Sequence, residues 1–374
     1  MDKTVDLMPV LRNVAEKFRI GSDIISYEVV LNGNINYTYK VLYRAKNGCE
    51  KYCIIQRIND YVFTRPDEIM DNIDHVTGHI AEHTPGDVHL HFHHTEDGKN
   101  WFRDEQGHYW RLSNYIDSVT YSLCDNLDTL RHAGAAFGKF QTDLSDFDAS
   151  KLVETIPNFH NTPKRIADLE KAAAADPVGR AASVADELAF VAAHKASASA
   201  LYGMLEAGEL PLRVTHNDTK INNVLFDRET LTPLAVVDLD TVMPGLAAYD
   251  FGDAIRAAAS TTDEDEADLS KVTIDMAKYT AFAEGFIGQT AGSLTQAEID
   301  TLALGAYTIA VELGVRFLTD YIDGDKYFHV NNPKHNLVRA RCQFKLASEM
   351  FKRLDEMSAI AASIAAKAKG NGQK

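Results

Sequence analysis

The chain has 374 residues, of which 45% are hydrophobic and 25% are charged, and its formal net charge at pH 7 is -16. This composition argues against intrinsic disorder, and the length is enough for two or three compact units with their own cores. The negative charge disfavours nucleic-acid binding and gives no attraction to an anionic membrane, so we expect neither partner.

The cysteines and the first segment of the chain bear on the cellular compartment. Cys49, Cys53, Cys124 and Cys342 are too sparse for a disulfide framework, and no second pair completes a zinc site with the first two. Residues 1–18 have the pattern of an amphipathic helix and lack the apolar core of a signal peptide. No apolar run is long enough to span a bilayer, so we expect a cytoplasmic protein.

The first third of the chain predicts a small, mostly antiparallel sheet with one helix. Runs rich in aromatic and β-branched residues alternate with turns that contain Asn and Gly. One stretch instead has apolar residues at helical spacing, namely Ile69, Ile73, Val76 and Ile80. The strand-like runs are 25–31, 32–45, 51–58, 87–94 and 100–116.

The pattern changes to long helices after about Asp117. Residues 126–144 and 185–205 have core-facing apolar spacing, and helices return from about Tyr249 to the end. Two short strand-like segments near residue 220 interrupt this part. We therefore predict an α+β fold with two lobes, a β-rich lobe over residues 1–117 and a mainly α-helical lobe over residues 118–374.

The segment VTHNDTKINNVLFD at residues 214–227 carries the pattern most indicative of chemistry. Asp218 and Asn223 lie between two strand-like runs, and the next run ends in Asp238 and Asp240. Strand alternation predicts that the last two carboxylates share one face, and we expect Asp218, Asn223 and Asp238 to converge at the edge of a short hairpin. Carboxylates with one amide suit Mg²⁺ beside substrate phosphates, and a further Asp can accept a proton. This pattern indicates ATP-dependent phosphoryl transfer.

Two levels of resemblance sharpen this prediction. HNDTKINN followed by VVDLD resembles the motifs of the aminoglycoside phosphotransferase and choline kinase superfamily, relatives of protein kinases, which implies a bilobal protein-kinase-like fold. The longer runs LRVTHNDTKINNVLFD, VVDLDTVMPG, DFGDAIR, FDASKLVETIPNFHNTP and PKHNLVRARCQFKL are similar to bacterial N-acetylhexosamine 1-kinases, which phosphorylate the anomeric hydroxyl of GlcNAc and GalNAc. This similarity covers nearly the whole chain. It implies ATP and a hexosamine as partners and Mg²⁺ as cofactor. We expect a monomer.

The resemblance also implies roles for the residues of the catalytic loop. Asp218 is the catalytic base, and Asn223 and Asp238 hold the metal. We expect His216 to be a buried hydrogen-bonding residue and not a base. Lys220 is expected either to contact the transferring phosphate or to be exposed on the surface of the loop.

The same resemblance implies sugar contacts from the late helices. Arg316 would donate to ring or acetyl oxygens, and Tyr327 would lay its ring against the sugar. For both residues the alternative is plain packing or a surface ion pair.

The N-terminal lobe is expected to cover the nucleotide. Gly33 allows backbone amides to approach phosphate, and the next strand carries Gln56 and Arg57 where the family usually has a lysine. Only one of these adjacent strand residues faces the nucleotide, and the motif favours Gln56. The Asn114 carbonyl and the Ile116 amide would contact adenine. Additional side-chain donors are expected from Asn34, Asn36 and Thr38.

Two further patterns resemble functional motifs. The Asp250-Phe-Gly triplet resembles the metal-binding triplet of protein kinases, but VVDLD already fills that role. We expect Asp250 to cap backbone amides and to brace the catalytic loop. Histidines 75, 79 and 83 fall on one helix face, and histidines 89, 91 and 93 alternate along a strand. Because the sequence shows no acid or cysteine that completes a ligand set, a solvated face is the expectation for both groups.

Two alternatives to a hexosamine kinase stay open. A kinase of the same fold with another acceptor is possible on this sequence: the acidic balance would suit an aminoglycoside, whereas choline requires an aromatic cage that Trp101 and Trp110 are badly placed to supply. The second alternative is a non-catalytic binding module, which the missing strand lysine favours and the intact acidic motifs disfavour.

Overall fold

The first part of the chain forms a five-stranded antiparallel sheet. The computed structural model describes residues 6–21, 23–30, 35–122 and 124–371. The strands are β1 (Ile24–Val30), β2 (Tyr37–Arg44), β3 (Glu50–Arg57), β4 (Phe102–Arg103) and β5 (Tyr109–Asn114). Their order across the sheet is β1-β2-β3-β5-β4, and every neighbouring pair is antiparallel.

The first helix, α1 (Met8–Lys17), covers one face of this sheet. Its side chains Leu11 and Val14, together with Phe18, are buried against a layer of strand residues that includes Tyr39 and Leu112. Burying a side chain of this size contributes about 1.5–3 kcal/mol, so these three contacts anchor the helix. The predicted amphipathic helix is confirmed.

Residues 87–94 differ from the predicted strand. This segment runs beside β5 and joins the sheet through a single bridge between Phe92 and Ser113. The side-chain amide of Asn114 takes the place of a backbone partner: its Oδ1 accepts from the His91 amide at 2.8 Å, and its Nδ2 donates to the His89 carbonyl at 3.0 Å. These bonds hold the segment without regular strand pairing.

The predicted second helix is confirmed as α2 (Pro66–His83). It packs its apolar face into a core that also contains residues of the helical half, among them Val214, Leu239 and Val242. The buried side chain of Asn72 donates to the carbonyl of Val242 at 2.9 Å. The helix therefore joins the sheet region to the segments that carry the candidate site.

The remainder of the chain is mainly helical. The helices that contain Gly252 and Gly305 cross closely, and their backbones leave no room for larger side chains at these two positions. A Cβ atom on Gly305 would lie 2.0 Å from the Ala248 carbonyl oxygen, and a Cβ atom on Gly252 would lie 2.5 Å from the backbone of Gly305. The helices are α3 (Leu127–Asp143), α4 (Thr162–Ala175), α5 (Ala185–Ala198), α6 (Ala200–Glu206), α7 (Ala247–Ala258), α8 (Met276–Thr290), α9 (Gln296–Asp323), α10 (His335–Lys352) and α11 (Leu354–Asn371).

The central helix of this half, α9, is long and apolar enough to cross a membrane by length and composition alone. The expectation that the chain contains no such run was therefore wrong. However, 83% of its most apolar 18-residue window is buried inside the protein. Its sequence is that of a helix surrounded by other helices.

Four short strands inside the helical half support the catalytic motifs. They are β6 (Arg213–Thr215), β7 (Val224–Phe226), β8 (Pro233–Val236) and β9 (Met243–Gly245), which pair as β6 with β9 and β7 with β8. The loop between β6 and β7 lies next to the turn that follows β8. The predicted fold class, a small antiparallel sheet followed by a helical half, is confirmed, and the lobe boundary at 117/118 stays a prediction.

Candidate active site

The loop from residue 216 to residue 223 is fixed at its start by a left-handed residue. Asn217 has φ +63°, a conformation that Asn tolerates better than most side chains. Its Nδ2 donates to the Thr241 carbonyl at 2.8 Å, and the Thr241 hydroxyl donates to the His216 carbonyl at 2.6 Å. These bonds tie the loop to the segment after β8.

His216 is buried and uses both ring nitrogens in this framework. Its Nε2 lies 2.9 Å from the Val237 carbonyl, so this nitrogen carries the proton and donates. Its Nδ1 accepts from the Asp218 amide at 3.3 Å. The rings of Phe137 and Phe140 approach it edge-on at 5.6 and 5.8 Å. The structure thus places His216 as a hydrogen-bonding residue that orients the loop.

Asp250 lies beneath the loop and holds its backbone. Its carboxylate accepts from the His216 amide at 2.9 Å, from the Asn217 amide at 2.8 Å and from Gln141 Nε2 at 2.6 Å. Burial raises the pKa of Asp250, and these donors oppose that shift. Asp250 lies in the first turn of α7 but does not cap that helix, for which the N-cap residue is Leu246. It braces the loop instead.

Asn223 and Asp238 stand at the two ends of the β7–β8 hairpin. The Val237 amide donates to the Asn223 carbonyl at 2.9 Å, which keeps the ends together. Asn223 Nδ2 lies 2.8 Å from the Asp218 carbonyl and 3.3 Å from Asp218 Oδ2. Asp218, Asn223 and Asp238 are therefore neighbours.

The electrostatics of this corner favour a cation. Asp238 is exposed, but desolvation by the surrounding protein and the charges of Asp240 and Asp218 raise the pKa of its carboxyl to about 7, while Arg111 opposes the shift. A divalent ion would relieve this crowding of negative charge. The donor set of carboxylate and amide oxygens fits Mg²⁺, with Asn223 and Asp238 as its holders.

The predicted shared face of Asp238 and Asp240 is wrong. The strand β8 ends at Val236, and Asp238 has φ +64° and starts a 3-10 turn, so strand alternation does not apply to it. Asp238 is exposed. Asp240 is buried and faces Arg111, whose guanidinium contacts both of its carboxylate oxygens, Nη2 to Oδ2 at 3.0 Å.

Gln56 stands where the resembled family usually has a lysine, and both polar atoms of its side chain are hydrogen-bonded to other side chains of the protein. It lies opposite Arg111 in the β3–β5 register, and its Oε1 accepts from Arg111 Nε at 2.8 Å. Its Nε2 donates to the Thr38 hydroxyl at 2.9 Å. The buried cation of this region is therefore Arg111 on the neighbouring strand. Arg111 was not among the residues predicted for the site, although an Arg within the apolar strand YWRLSN was a signal.

Asn36 also contacts the turn after β8. Its Nδ2 donates to Asp240 Oδ2 at 2.5 Å, and its Oδ1 accepts from the Asn59 amide at 2.9 Å. The sheet and the turn after β8 are thus joined by two side chains, Asn36 and Arg111. Gly33 and Asn34, which were predicted to contact the nucleotide phosphates, lie outside the described residues.

The predicted adenine contacts fall at the end of β5. The side chain of Asn114 holds residues 89–91, as described above, so its backbone is fixed in place. The Ile116 carbonyl accepts from the Ser118 hydroxyl at 3.0 Å. Contacts of adenine with the Asn114 carbonyl and the Ile116 amide stay a prediction.

Lys220 lies on the catalytic loop and pairs with the candidate base. Its Nζ is 2.9 Å from Asp218 Oδ1, and its side chain is 46% exposed. The Asp218 charge raises the pKa of Lys220, burial opposes this, and Asp253 adds to the rise. Asp253, which the sequence analysis missed, accepts from the Thr219 amide at 3.0 Å and binds Arg256 at 2.9 Å. Its signal was the second Asp of DFGDAIR.

Arg316 lies on α9 between two aromatic rings. Its guanidinium carbon is 5.4 Å from the centre of the Phe159 ring and 5.5 Å from that of Phe328. Within the described part of the chain, no residue accepts a hydrogen bond from this guanidinium. Tyr327 is 68% exposed, and the buried carboxylate of Asp320 accepts from its amide at 2.8 Å. The structure thus brings Arg316 and Tyr327 to one corner.

A second arginine, which the sequence analysis also missed, lies in the same corner. Burial and the neighbouring Arg316 lower the pKa of Arg165, and its Nε is buried without a partner among the described residues. The carboxylate of Glu312, one turn before Arg316, is already hydrogen-bonded to His160 Nδ1 at 2.8 Å and to the Thr162 hydroxyl at 2.6 Å. Arg165 Nη2 donates to the Phe159 carbonyl at 3.3 Å, so the unpaired donors of this corner among the described residues include Arg165 Nε and the Arg316 guanidinium.

Comparisons with known proteins identify the family and the fold of this chain. Residues 27–280 match the family model described as "Phosphotransferase enzyme family". The fold is similar to a microcompartment-associated aminopropanol kinase, with a TM-score of 0.61, 15% identity and coverage of 94% of this chain and 98% of that one. It is also similar to a Plasmodium vivax ethanolamine kinase, with a TM-score of 0.57, 12% identity and 90% coverage of both chains.

A third solved structure resembles this chain and contains ligands. It is an amicoumacin kinase in complex with AMP-PNP, Ca²⁺ and Ami, with a TM-score of 0.55, 14% identity and coverage of 91% of this chain and 93% of that one. At these identities the three structures show the shared kinase-like fold, and the family model covers more than half of the chain. The chain therefore belongs to the phosphotransferase enzyme family and is a kinase-like phosphotransferase.

Proposed function

We propose that this phosphotransferase transfers the γ-phosphoryl group of ATP to the C1 hydroxyl of an N-acetylhexosamine, GlcNAc or GalNAc, and releases ADP and the sugar 1-phosphate. The similarity of its motifs to N-acetylhexosamine 1-kinases supports the reaction. The observation that carries the acceptor is the guanidinium of Arg316, which lies between two rings with its hydrogen-bonding capacity unused by the described residues.

Asp218 is the proposed base. As the C1 oxygen attacks the γ-phosphorus, its proton passes to the Asp218 carboxylate, and the bond between the γ-phosphorus and the bridging oxygen breaks with its electrons left on ADP. An anomeric hydroxyl is more acidic than an ordinary alcohol, so orientation of the nucleophile matters more than strong basicity. Lys220 Nζ, at 2.9 Å from Asp218 Oδ1, directs the carboxylate.

Asn223 and Asp238 are the proposed holders of Mg²⁺. When bound, the ion supplies charge neutralisation to the phosphate oxygens. The buried pair Arg111–Asp240 fixes the turn from which Asp238 projects. Because Gln56 is neutral and occupied, the N-terminal sheet offers no lysine-like cation at that position for the phosphates.

The acceptor corner suits a neutral polyhydroxyl molecule with a carbonyl. Arg316 and Arg165 offer N–H donors, which match ring, hydroxyl and acetyl oxygens. The exposed Tyr327 offers an apolar ring face for the sugar. Two neighbouring arginines repel a cationic acceptor, which argues against an aminoglycoside or choline at this corner.

A cationic acceptor has one observation in its favour. An acidic segment at residues 263–266 lines a cleft of about 1100 Å³ beside Lys220 and Arg256. Three of its four acids already bond to basic side chains of the protein, and four lysine and arginine side chains line the same cleft, which leaves little net negative charge for an amine. The pairs are Glu264 with Arg256 at 3.0 Å, Asp265 with His335 at 3.1 Å and Glu266 with Lys271 at 3.5 Å.

The acceptor class is tested by ADP release with Mg-ATP across GlcNAc, GalNAc, aminoglycosides, choline and ethanolamine. We expect turnover with the hexosamines, and a product that is acid-labile and lacks a reducing end. Arg316→Ala should raise the KM for the sugar at least about tenfold, because a charged donor is lost, and should leave the KM for ATP unchanged. Arg131→Ala, which removes a surface arginine paired with Glu284, is the matched control. Turnover of an amine alone would refute the sugar assignment.

A further inference from the structure

Two histidines and an aspartate meet on the surface outside the candidate active site. His79 and His83 lie one turn apart on α2, and Asp146 lies in the segment that follows α3. His79 Nε2 is 2.9 Å from Asp146 Oδ1, and His83 Nε2 is 3.5 Å from Asp146 Oδ2. One ligand atom from each of the three residues lies within 4.8 Å of the others. Asp146 supplies the acid that the sequence did not reveal.

The hydrogen bond behind His83 fixes which of its nitrogens faces the aspartate. His83 Nδ1 lies 2.8 Å from the His79 carbonyl, which can only accept, so Nδ1 carries a proton and donates. In the neutral ring the lone pair is then on Nε2 and points toward a carboxylate oxygen that also carries lone pairs. Two acceptors face each other at 3.5 Å, and only a cation or a proton between them makes the contact favourable.

The ligands are held in place by packing. The rings of His79 and His83 stack with their centres 4.0 Å apart, and Phe147 packs edge-on against His79 at 5.2 Å. The His79 side chain is only 16% exposed, whereas Asp146 is open to solvent. The site therefore has two imidazoles, one carboxylate and space for water.

We propose that His79, His83 and Asp146 form a binding site for a divalent transition metal of the Zn²⁺ class. Imidazole nitrogens and a carboxylate oxygen are ligands of Zn²⁺ at about 2.0–2.2 Å, and three protein ligands leave a fourth position for water. In a tetrahedral site such ligand atoms lie roughly 3.4 Å apart, so small side-chain rotations are enough. A second nitrogen bonded to a carbonyl, as in His83, is a common feature of metal-binding histidines.

The expected role of this site is structural. The metal would link α2 to the segment after α3, two parts of the chain that are 63 or more residues apart in sequence. Helix α2 also packs Met70 against Arg111, with Sδ 3.7 Å from Nη1, and its Asn72 bonds Val242. Metal binding would therefore hold the helix that supports the Arg111–Asp240 pair, without contacting the substrates.

The other histidines do not share this arrangement. His75, one turn earlier on α2, is exposed and is not part of the three-residue group. His89 Nε2 is bonded to the Thr84 carbonyl at 2.9 Å, and His91 and His93 contact each other edge-on at 5.2 Å. Of the six histidines in the two sequence patterns, only His79 and His83 are therefore assigned to the site.

Titration calorimetry with ZnCl₂ and the absorption spectrum with CoCl₂ test the proposal on the full chain, in saturating MgCl₂ so that the phosphotransfer site is occupied. We expect one bound ion, a Co²⁺ absorption band typical of nitrogen and oxygen ligands, and a rise in Tm with added Zn²⁺. His79→Ala, His83→Ala and Asp146→Asn should each weaken binding by more than about tenfold. His75→Ala, the matched control on the same helix, should change affinity less than twofold.

Two results would overturn the proposal. Equal Zn²⁺ affinity in His75→Ala and His83→Ala would show that the ion binds elsewhere. No binding to a wild-type protein that retains cooperative unfolding would show a plain histidine–aspartate ion pair. Because His83 and Asp146 are exposed at the surface, their variants are expected to fold, which the unfolding transition measured without metal verifies.

Discussion

Arg111 in the N-terminal sheet and Asp240 in the turn after β8 form a buried ion pair, in which the guanidinium contacts both carboxylate oxygens. Asp238, two residues before Asp240, is exposed. The pair therefore links the sheet expected to cover the nucleotide to the turn expected to hold the metal. Gln56 on β3 and Asn36, just before β2, complete the link.

Removal of the Arg111 charge should destabilise the fold. Arg111→Met leaves the buried Asp240 carboxylate without its cation, and we expect a loss of about 3–5 kcal/mol in the free energy of unfolding. Arg111→Met with Asp240→Asn should recover part of this loss, because the unpaired charge is then gone. Urea unfolding of both variants measures the difference, and equal stability of the single and double variants would contradict the account.

Asp250 should affect turnover through the backbone of the catalytic loop. Asp250→Asn replaces a carboxylate, whose two oxygens accept hydrogen bonds from two loop amides, by an amide with one acceptor oxygen. We therefore expect kcat to fall by roughly tenfold or more and the free energy of unfolding to fall by about 1.5–3 kcal/mol. Asp275→Asn is the matched control, because Asp275 also accepts from two backbone amides but at the start of α8. Similar kcat losses in both variants would show that the effect is not specific to the loop.

Asp238 should set the requirement for Mg²⁺. Asp238→Asn keeps the shape of the side chain but removes a charged ligand, so the half-saturating Mg²⁺ concentration should rise by roughly tenfold or more. Asp263→Asn removes the same charge from an exposed acid in the neighbouring cleft and should leave the Mg²⁺ dependence unchanged. The measurement is initial rate against Mg²⁺ at fixed ATP, and identical curves for the two variants would contradict a metal role for Asp238.

Glu298 should make stability depend on acid pH. Burial raises the pKa of Glu298, but hydrogen bonds from Arg213 at 2.9 Å and from the Thr295 amide outweigh this, so its pKa is lowered. Because its pKa is lower in the folded state, ionised Glu298 contributes fully to the free energy of unfolding above its unfolded-state pKa of about 4.3. This contribution is lost as the pH falls through the folded-state pKa. The stability difference between wild type and Glu298→Gln should therefore be constant from pH 6 to 8 and shrink below about pH 4. Chemical unfolding at several pH values measures it, and a constant difference down to pH 3 would contradict it.

The sequence was sufficient for features that depend on local pattern. The helices α1 and α2 and the hairpins of the first sheet follow from apolar periodicity and from turn residues such as Gly48, which has φ +82°. The fold class follows from the change of pattern near residue 117. The order Asp218, Asn223, Asp238 follows from motif spacing, and the structure makes these residues neighbours.

Features that depend on long-range contacts were beyond sequence reasoning. Gln56 was expected to face the nucleotide, but its amide is used by Arg111, which is 55 residues later. The shared face predicted for Asp238 and Asp240 is wrong because Asp238 has φ +64° and not the backbone angles of a strand, which a pattern of alternating residues does not reveal. Asp146 lies 67 residues from His79, so the histidine pattern alone lacked its acid.

The most direct test of the central claim is phosphorus–proton correlation NMR of the product formed from GlcNAc and Mg-ATP by the wild type and by Asp218→Asn. We predict a phosphorus signal coupled to the anomeric proton, and a fall of about two to four orders of magnitude in its rate of appearance for the variant, with substrate affinities retained. Phosphorus coupled to the C6 protons, or a variant with wild-type turnover, would contradict the account.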